Sequence, residues 1–187
     1  MANSEIEKLS PRLKARIAGV FYLLCLLMGI FANFFARGRL GFVAELIAVA
    51  CYIAMTLLLY GLFKPVNRSL SLLAAFLNLL GLTLGKLDLH PPGVNIELVF
   101  VGFYDLLIGY LIFRSTFLPR ILGVLMAFAG LGWLTFLSSP LANYLSPYNL
   151  VPGFLGAISL TLWLLVMGVN AQRWKEQAGM AGAFIRA

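Results

Sequence analysis

Long apolar runs, separated by short basic or proline-containing turns, restrict this chain to very few folds. Ile17–Ala36 passes twenty residues without a charge. A run near 20 residues crosses the roughly 30 Å hydrocarbon core of a bilayer as an α-helix. In lipid only helices and closed barrels satisfy their own backbone groups. Comparable runs recur at about 13–35, 40–63, 69–87, 94–113, 119–139 and 150–170. The expected fold is therefore all-α: a single polytopic membrane domain over residues 1–187, a bundle of six transmembrane helices. Composition agrees, with 61% hydrophobic and only 11% charged residues, against about 25% charged in soluble domains. The basic-then-apolar N-terminus resembles a secretory leader. Its apolar run is longer than a leader's, and no A-x-A site follows, so it is expected to remain as the first helix.

The net charge of +7 does not point to nucleic acid, because the basic residues lie at the ends of spans rather than along one face. With the N-terminus inside, the inner segments hold Lys8, Arg12, Lys14, Arg16, Lys64, Arg68, Arg114, Arg120, Arg173, Lys175 and Arg186, eleven in all. The outer segments hold three, Arg37, Arg39 and Lys86. This bias places both termini of a multi-pass protein in the cytoplasm. Ser10-Pro11 reads as a helix start, and Pro91-Pro92-Gly93 as a break. Ser138 to Pro152 is the longest loop, Arg173 to Lys175 closes the sixth helix, and Gln177 to Ala187 has no reason to order alone. Pro11, Pro65 and Pro119 recur at intervals of 54 residues. They leave open three two-helix hairpin repeats of one orientation, or simply the length that two spans and two turns require.

Asp105 is the one charge deep inside an apolar run, and an ionisable group at membrane depth is a functional candidate by default. Gly102 and Gly109 share its face at i−3 and i+4. Asn78, Gly81 and Gly85 form a matching face on the third helix, at nearly the same depth. These faces are expected to pack together, with Asn78 and Asp105 in hydrogen-bond reach, as a ligand or proton site or as polar glue between helices. Glu45, Lys86 and Glu97 share a second level toward the outside. With Arg37, Arg39, Asp88 and His90 they form an expected outer polar rim, or else ordinary interfacial charges reaching water. Tyr22, Tyr60, Tyr144, Tyr148, Trp163 and Trp174 read as interface anchors. Cys25 and Cys51 lie in apolar runs without CxxC spacing and read as small buried side chains.

Catalytic and metal motifs are absent: there is one His, and no HExxH, Walker A, GxGxxG or GxSxG. No cofactor or metal is expected from this chain, although bound lipid would suit it, and an enzyme is not expected.

The stretches SPRLKARIAGVFYLL, LLYGLFKPVNRSLSLLAAF and FVGFYDLLIGYLIFRSTFLPRILGVLMAFAGLGWL resemble a bacterial membrane family, the domain of unknown function 4386. The resemblance runs from Ser10 to Asn170 and is most specific at Gly109–Gly123, GYLIFRSTFLPRILG. It implies a small polytopic protein of the inner membrane and carries no activity. The first reading is a non-catalytic accessory or structural subunit that packs against membrane lipids and other membrane subunits. The alternatives are a small-solute or proton-linked carrier using Asp105 and Asn78, and an intramembrane enzyme on a lipid-like substrate.

Overall fold

The computed structural model describes residues 10–35, 38–87, 89 and 93–184. Helix α1, Pro11–Phe34, starts as its sequence dictates: Pro11 takes the first turn and the Ser10 hydroxyl accepts from the Leu13 N–H at 3.3 Å. Gly38, at φ 63, makes the tight entry to α2, Arg39–Phe63, a backbone region that favours glycine. Asn67 caps α3, Arg68–Lys86, and Asn95 caps α4, Ile96–Arg114, each through its side-chain oxygen. Helix α5, Arg120–Leu134, follows Pro119 and ends in a 3-10 turn, Thr135–Leu137.

The end of the chain departs from expectation. The supposed loop from Ser138 to Pro152 contains a short helix, α6, Ser139–Leu145. Next, α7 runs over Leu150–Val166, four residues short of the expected Asn170. Gly168, at φ 67, breaks the chain there, and α8, Ala171–Phe184, begins anew. Arg173–Lys175 therefore lies in the first turns of α8. The C-terminal segment, expected to have no reason to order alone, is helical through Phe184, and side chains tie it to the bundle. Trp174 Nε1 donates to the Leu62 carbonyl at 2.8 Å, and Gln177 Oε1 accepts from the Thr116 N–H and hydroxyl at 3.2 Å.

Among the described residues five helices, α1 to α5, are long and apolar enough to cross a membrane, and α6 with α7 forms a pair bent by 78° that can serve as one further span. No strand occurs among the described residues. From α1 to α5 each helix packs on the next, α5 packs on α7 and α7 returns to α1, so α1, α2, α3, α4, α5 and α7 close a ring in chain order. The seams are unequal: α4–α5 and α1–α2 are the most extensive and α2–α3 the least. The three evenly spaced prolines also play different parts. Pro11 stands in a first turn, Pro65 lies in the turn before the Asn67 cap, and Pro119 occupies a cap position.

The outside of the ring is apolar. Leu40, Phe42, Phe76, Ile121 and Leu131 are more than half exposed, as a lipid-facing surface requires. One half of the interior is a packed plug. Met55, Leu59, Leu62 and Phe63 of α2 meet Ile108, Leu111 and Ile112 of α4, Leu122 and Met126 of α5, and Leu160 and Leu164 of α7. All of these lie toward the Arg68–Arg114 end. The other half, toward Glu45 and Glu97, is not filled.

Candidate functional site

The unfilled half encloses a cavity of about 270 Å³. Its walls come from every helix of the ring: Tyr22, Cys25 and Gly29 of α1, Glu45, Ala48 and Tyr52 of α2, Leu82 and Lys86 of α3, Glu97, Val101, Tyr104 and Asp105 of α4, Trp133 of α5, and Phe154 and Ala157 of α7. The Asp105 site and the Glu45–Lys86–Glu97 level, separate in the sequence, thus line one space. Glu45 and Lys86 stand at its mouth, about half exposed, and Lys86 Nζ meets Glu45 Oε1 at 2.6 Å. Glu97 is half-buried beside this pair. Asp105 lies at the floor, only 3% exposed, on the edge of the plug.

The partner of Asp105 is not Asn78. Its carboxyl instead stands near the Trp133 indole, whose N–H is the only donor that side chain carries. Side chains tilt toward the N-terminus of their helix, and α4 and α5 run antiparallel. The indole on α5 therefore reaches down into the bundle while the carboxylate on α4 reaches up, which closes several residues of difference in level. Trp133 itself is wedged between Phe136, Phe154 and the bare backbone of Gly153.

Asn78, fully buried, is engaged elsewhere. Its Oδ1 accepts from the Tyr52 hydroxyl at 2.5 Å and its Nδ2 donates to Thr56 Oγ1 at 2.9 Å. Both partners are on α2, so Asn78 locks α3 to α2. Through Tyr52 it also fixes one wall of the cavity. The glycine faces pair differently from expectation as well. Gly81 and Gly85 do pack on α4, but at Phe100 and Glu97. Gly102 and Gly109 turn to α5. A Cβ on Gly109 would lie 2.8 Å from the Gly123 carbonyl, and one on Gly102 would lie 3.0 Å from that of Gly130. The reciprocal approaches, from Gly123 and Gly130, are both 2.7 Å. Two heptad-spaced glycines on each helix thus let the backbones of α4 and α5 touch.

Of the expected outer rim, Arg39 is exposed at the start of α2 and does not line the cavity, while Arg37, Asp88 and His90 lie outside the described residues. Among the expected interface anchors, Tyr144 and Tyr148 are 86% and 77% exposed, but Tyr22 is buried in the cavity wall. Sequence reasoning missed the aromatic lining. Tyr22, Tyr52 and Tyr104 all stand within electrostatic reach of Asp105, and Tyr104 donates to the Met55 sulfur at 3.8 Å. The available signal was depth. Tyr52 and Tyr104 fall at mid-span, where an interface role cannot account for a phenol.

Comparison with known families supplies the chain's relationships. The model of a family described as "Domain of unknown function (DUF4386)" matches residues 35–89 and 81–168. The chain belongs to the DUF4386 family. Within this DUF4386 protein, the matched segments hold Glu45, Tyr52, Asn78, Lys86, Glu97, Asp105 and Trp133, while the α1 wall of the cavity precedes them. An uncharacterized protein of Archaeoglobus fulgidus is 24% identical over 127 residues, covering 62% of this chain and 76% of its own. No solved structure matches the DUF4386 protein.

Proposed function

We propose that this is a six-span protein of the bacterial inner membrane, with α6 and α7 as one broken span and both termini in the cytoplasm. Its role is to bind a small solute in the cavity that ends at Asp105, as a receptor or as the open-outward form of a carrier. The cavity carries this reading. Clefts of about 300–1,000 Å³ that are mostly apolar, with a few convergent polar groups, are where small molecules bind, and this one lies just below that range with a buried carboxylate at its floor. A purely packing role for Asp105 would leave no reason for the space beside it. The mouth lies at the end with few basic loop residues, which the positive-inside rule assigns to the outside. The plug separates the cavity from the cytoplasmic end.

Cys25, in the cavity wall, is a native reporter. In intact cells carrying Cys51→Ala, a small membrane-impermeant thiosulfonate added outside should modify Cys25. Gly29→Leu, which places a side chain where a Cβ meets nothing within 4 Å, should block it. Modification only from the cytoplasmic side, or from neither, would refute the outward cavity.

A further inference from the structure

Resting on that reading, we infer that the occupant is an organic ammonium ion whose cationic head meets Asp105 inside the box formed by Tyr22, Tyr52, Tyr104 and Trp133. The charge distribution is the first argument. The cavity lining holds three carboxylates, Glu45, Glu97 and Asp105, and one cation, Lys86. Lys86 is engaged with Glu45 at 2.6 Å and sits at the mouth. Asp105 lies eight residues further along α4 than Glu97, which is about 12 Å along the helix axis. A carboxylate at such depth is costly unless a cation or donors face it. Trp133 has at most one N–H to offer, whereas a carboxylate has about four lone-pair sites.

The walls are the second argument. Aromatic faces attract cations, most of all when water is excluded, and cages of Tyr and Trp are how proteins take ammonium groups. Three phenols and an indole line the cavity with this carboxylate, and the phenols stand within its electrostatic reach. A hard metal ion fits less well, because it needs several oxygen ligands, and no three His, Cys, Asp or Glu side chains gather among the described residues. An anion would meet the carboxylates directly. The volume limits the body of the ligand to a compact ring or short alkyl group.

Benzylammonium, benzyl alcohol and benzoate are nearly equal in size and differ in charge, so they form the test. Each is titrated calorimetrically into the detergent-solubilised full-length protein. We expect benzylammonium to bind at least about ten-fold more tightly than the alcohol, a difference of about 1.4 kcal/mol, and benzoate not to bind. Asp105→Asn should erase the preference, and Gly29→Leu should abolish binding. The wild-type series alone decides the class even if Asp105→Asn fails to fold. Equal or tighter binding of the alcohol or benzoate would overturn the ammonium assignment while leaving the solute cavity in place. Binding of none of the three, in protein whose Cys25 is open to reagent, would overturn the ammonium assignment and leave the outward cavity in place, whereas a closed Cys25 would overturn the cavity reading itself.

Discussion

A methyl group added at different glycines of this ring has opposite consequences. At Gly109 it would sit 2.8 Å from the Gly123 carbonyl and 2.9 Å from the Ala127 nitrogen, both backbone atoms that cannot move aside. At Gly61 it meets nothing within 4 Å. Gly109→Ala should therefore lower the melting temperature in detergent by several degrees. Gly61→Ala should hold or raise it, since Ala is better than Gly in a helix by up to about 1 kcal/mol. Equal effects would mean that the α4–α5 seam is not glycine-limited. Asn78 offers a second residue-level test. Asn78→Ala leaves the Tyr52 hydroxyl and Thr56 without their partner, a loss of about 1 kcal/mol for a hydrogen-bonded group inside a membrane bundle. It should also loosen the Tyr52 wall, speeding thiol modification of Cys25, whereas Asn78→Asp should preserve the Tyr52 bond.

Among the elements, the spans were legible because apolar length is a local property. The cap at Ser10 follows from short-range chemistry in the same way. Asp105 and the Glu45–Lys86–Glu97 level were also readable, since depth can be counted from the span ends. Partner choice was not. Gly102, Asp105 and Gly109 define a stripe on α4, but nothing within α4 says which neighbour uses it. The glycine stripe of α5, at Gly123 and Gly130, took that face, which turned Asp105 to Trp133 and left Asn78 to α2. The elbow between α5 and α7 escaped for the same reason. It is held by Asn149, buried, whose Nδ2 reaches Thr135 Oγ1 at 3.2 Å and the Ala142 carbonyl at 3.4 Å across the bend. The C-terminal helix was hidden because its order comes from distant carbonyls. Gln177→Ala with Trp174→Phe should release α8, detected as new proteolytic cleavage between Asn170 and Gln177 while the ring stays intact. Unchanged cleavage would mean that the remaining contacts of α8 suffice.

Across the whole molecule, closure of the ring sets an order of events during synthesis. The last side of the cavity, α7, must meet α1, which left the ribosome about 130 residues earlier. Until α7 is inserted, five helices surround an open gap, and the carboxylate of Asp105 and the phenols beside it face lipid or the insertion machinery. Polar groups exposed to hydrocarbon are costly, and a nascent bundle in that state is a substrate for membrane chaperones and quality-control proteases. A chain stopped after Ser146 should be degraded quickly in a pulse-chase, and Asp105→Leu should lengthen its lifetime. An unaltered lifetime would show that the unfinished ring hides its polar side by other means. A lengthened one would make Asp105, at the floor of the finished cavity, the residue that marks the unfinished ring for surveillance.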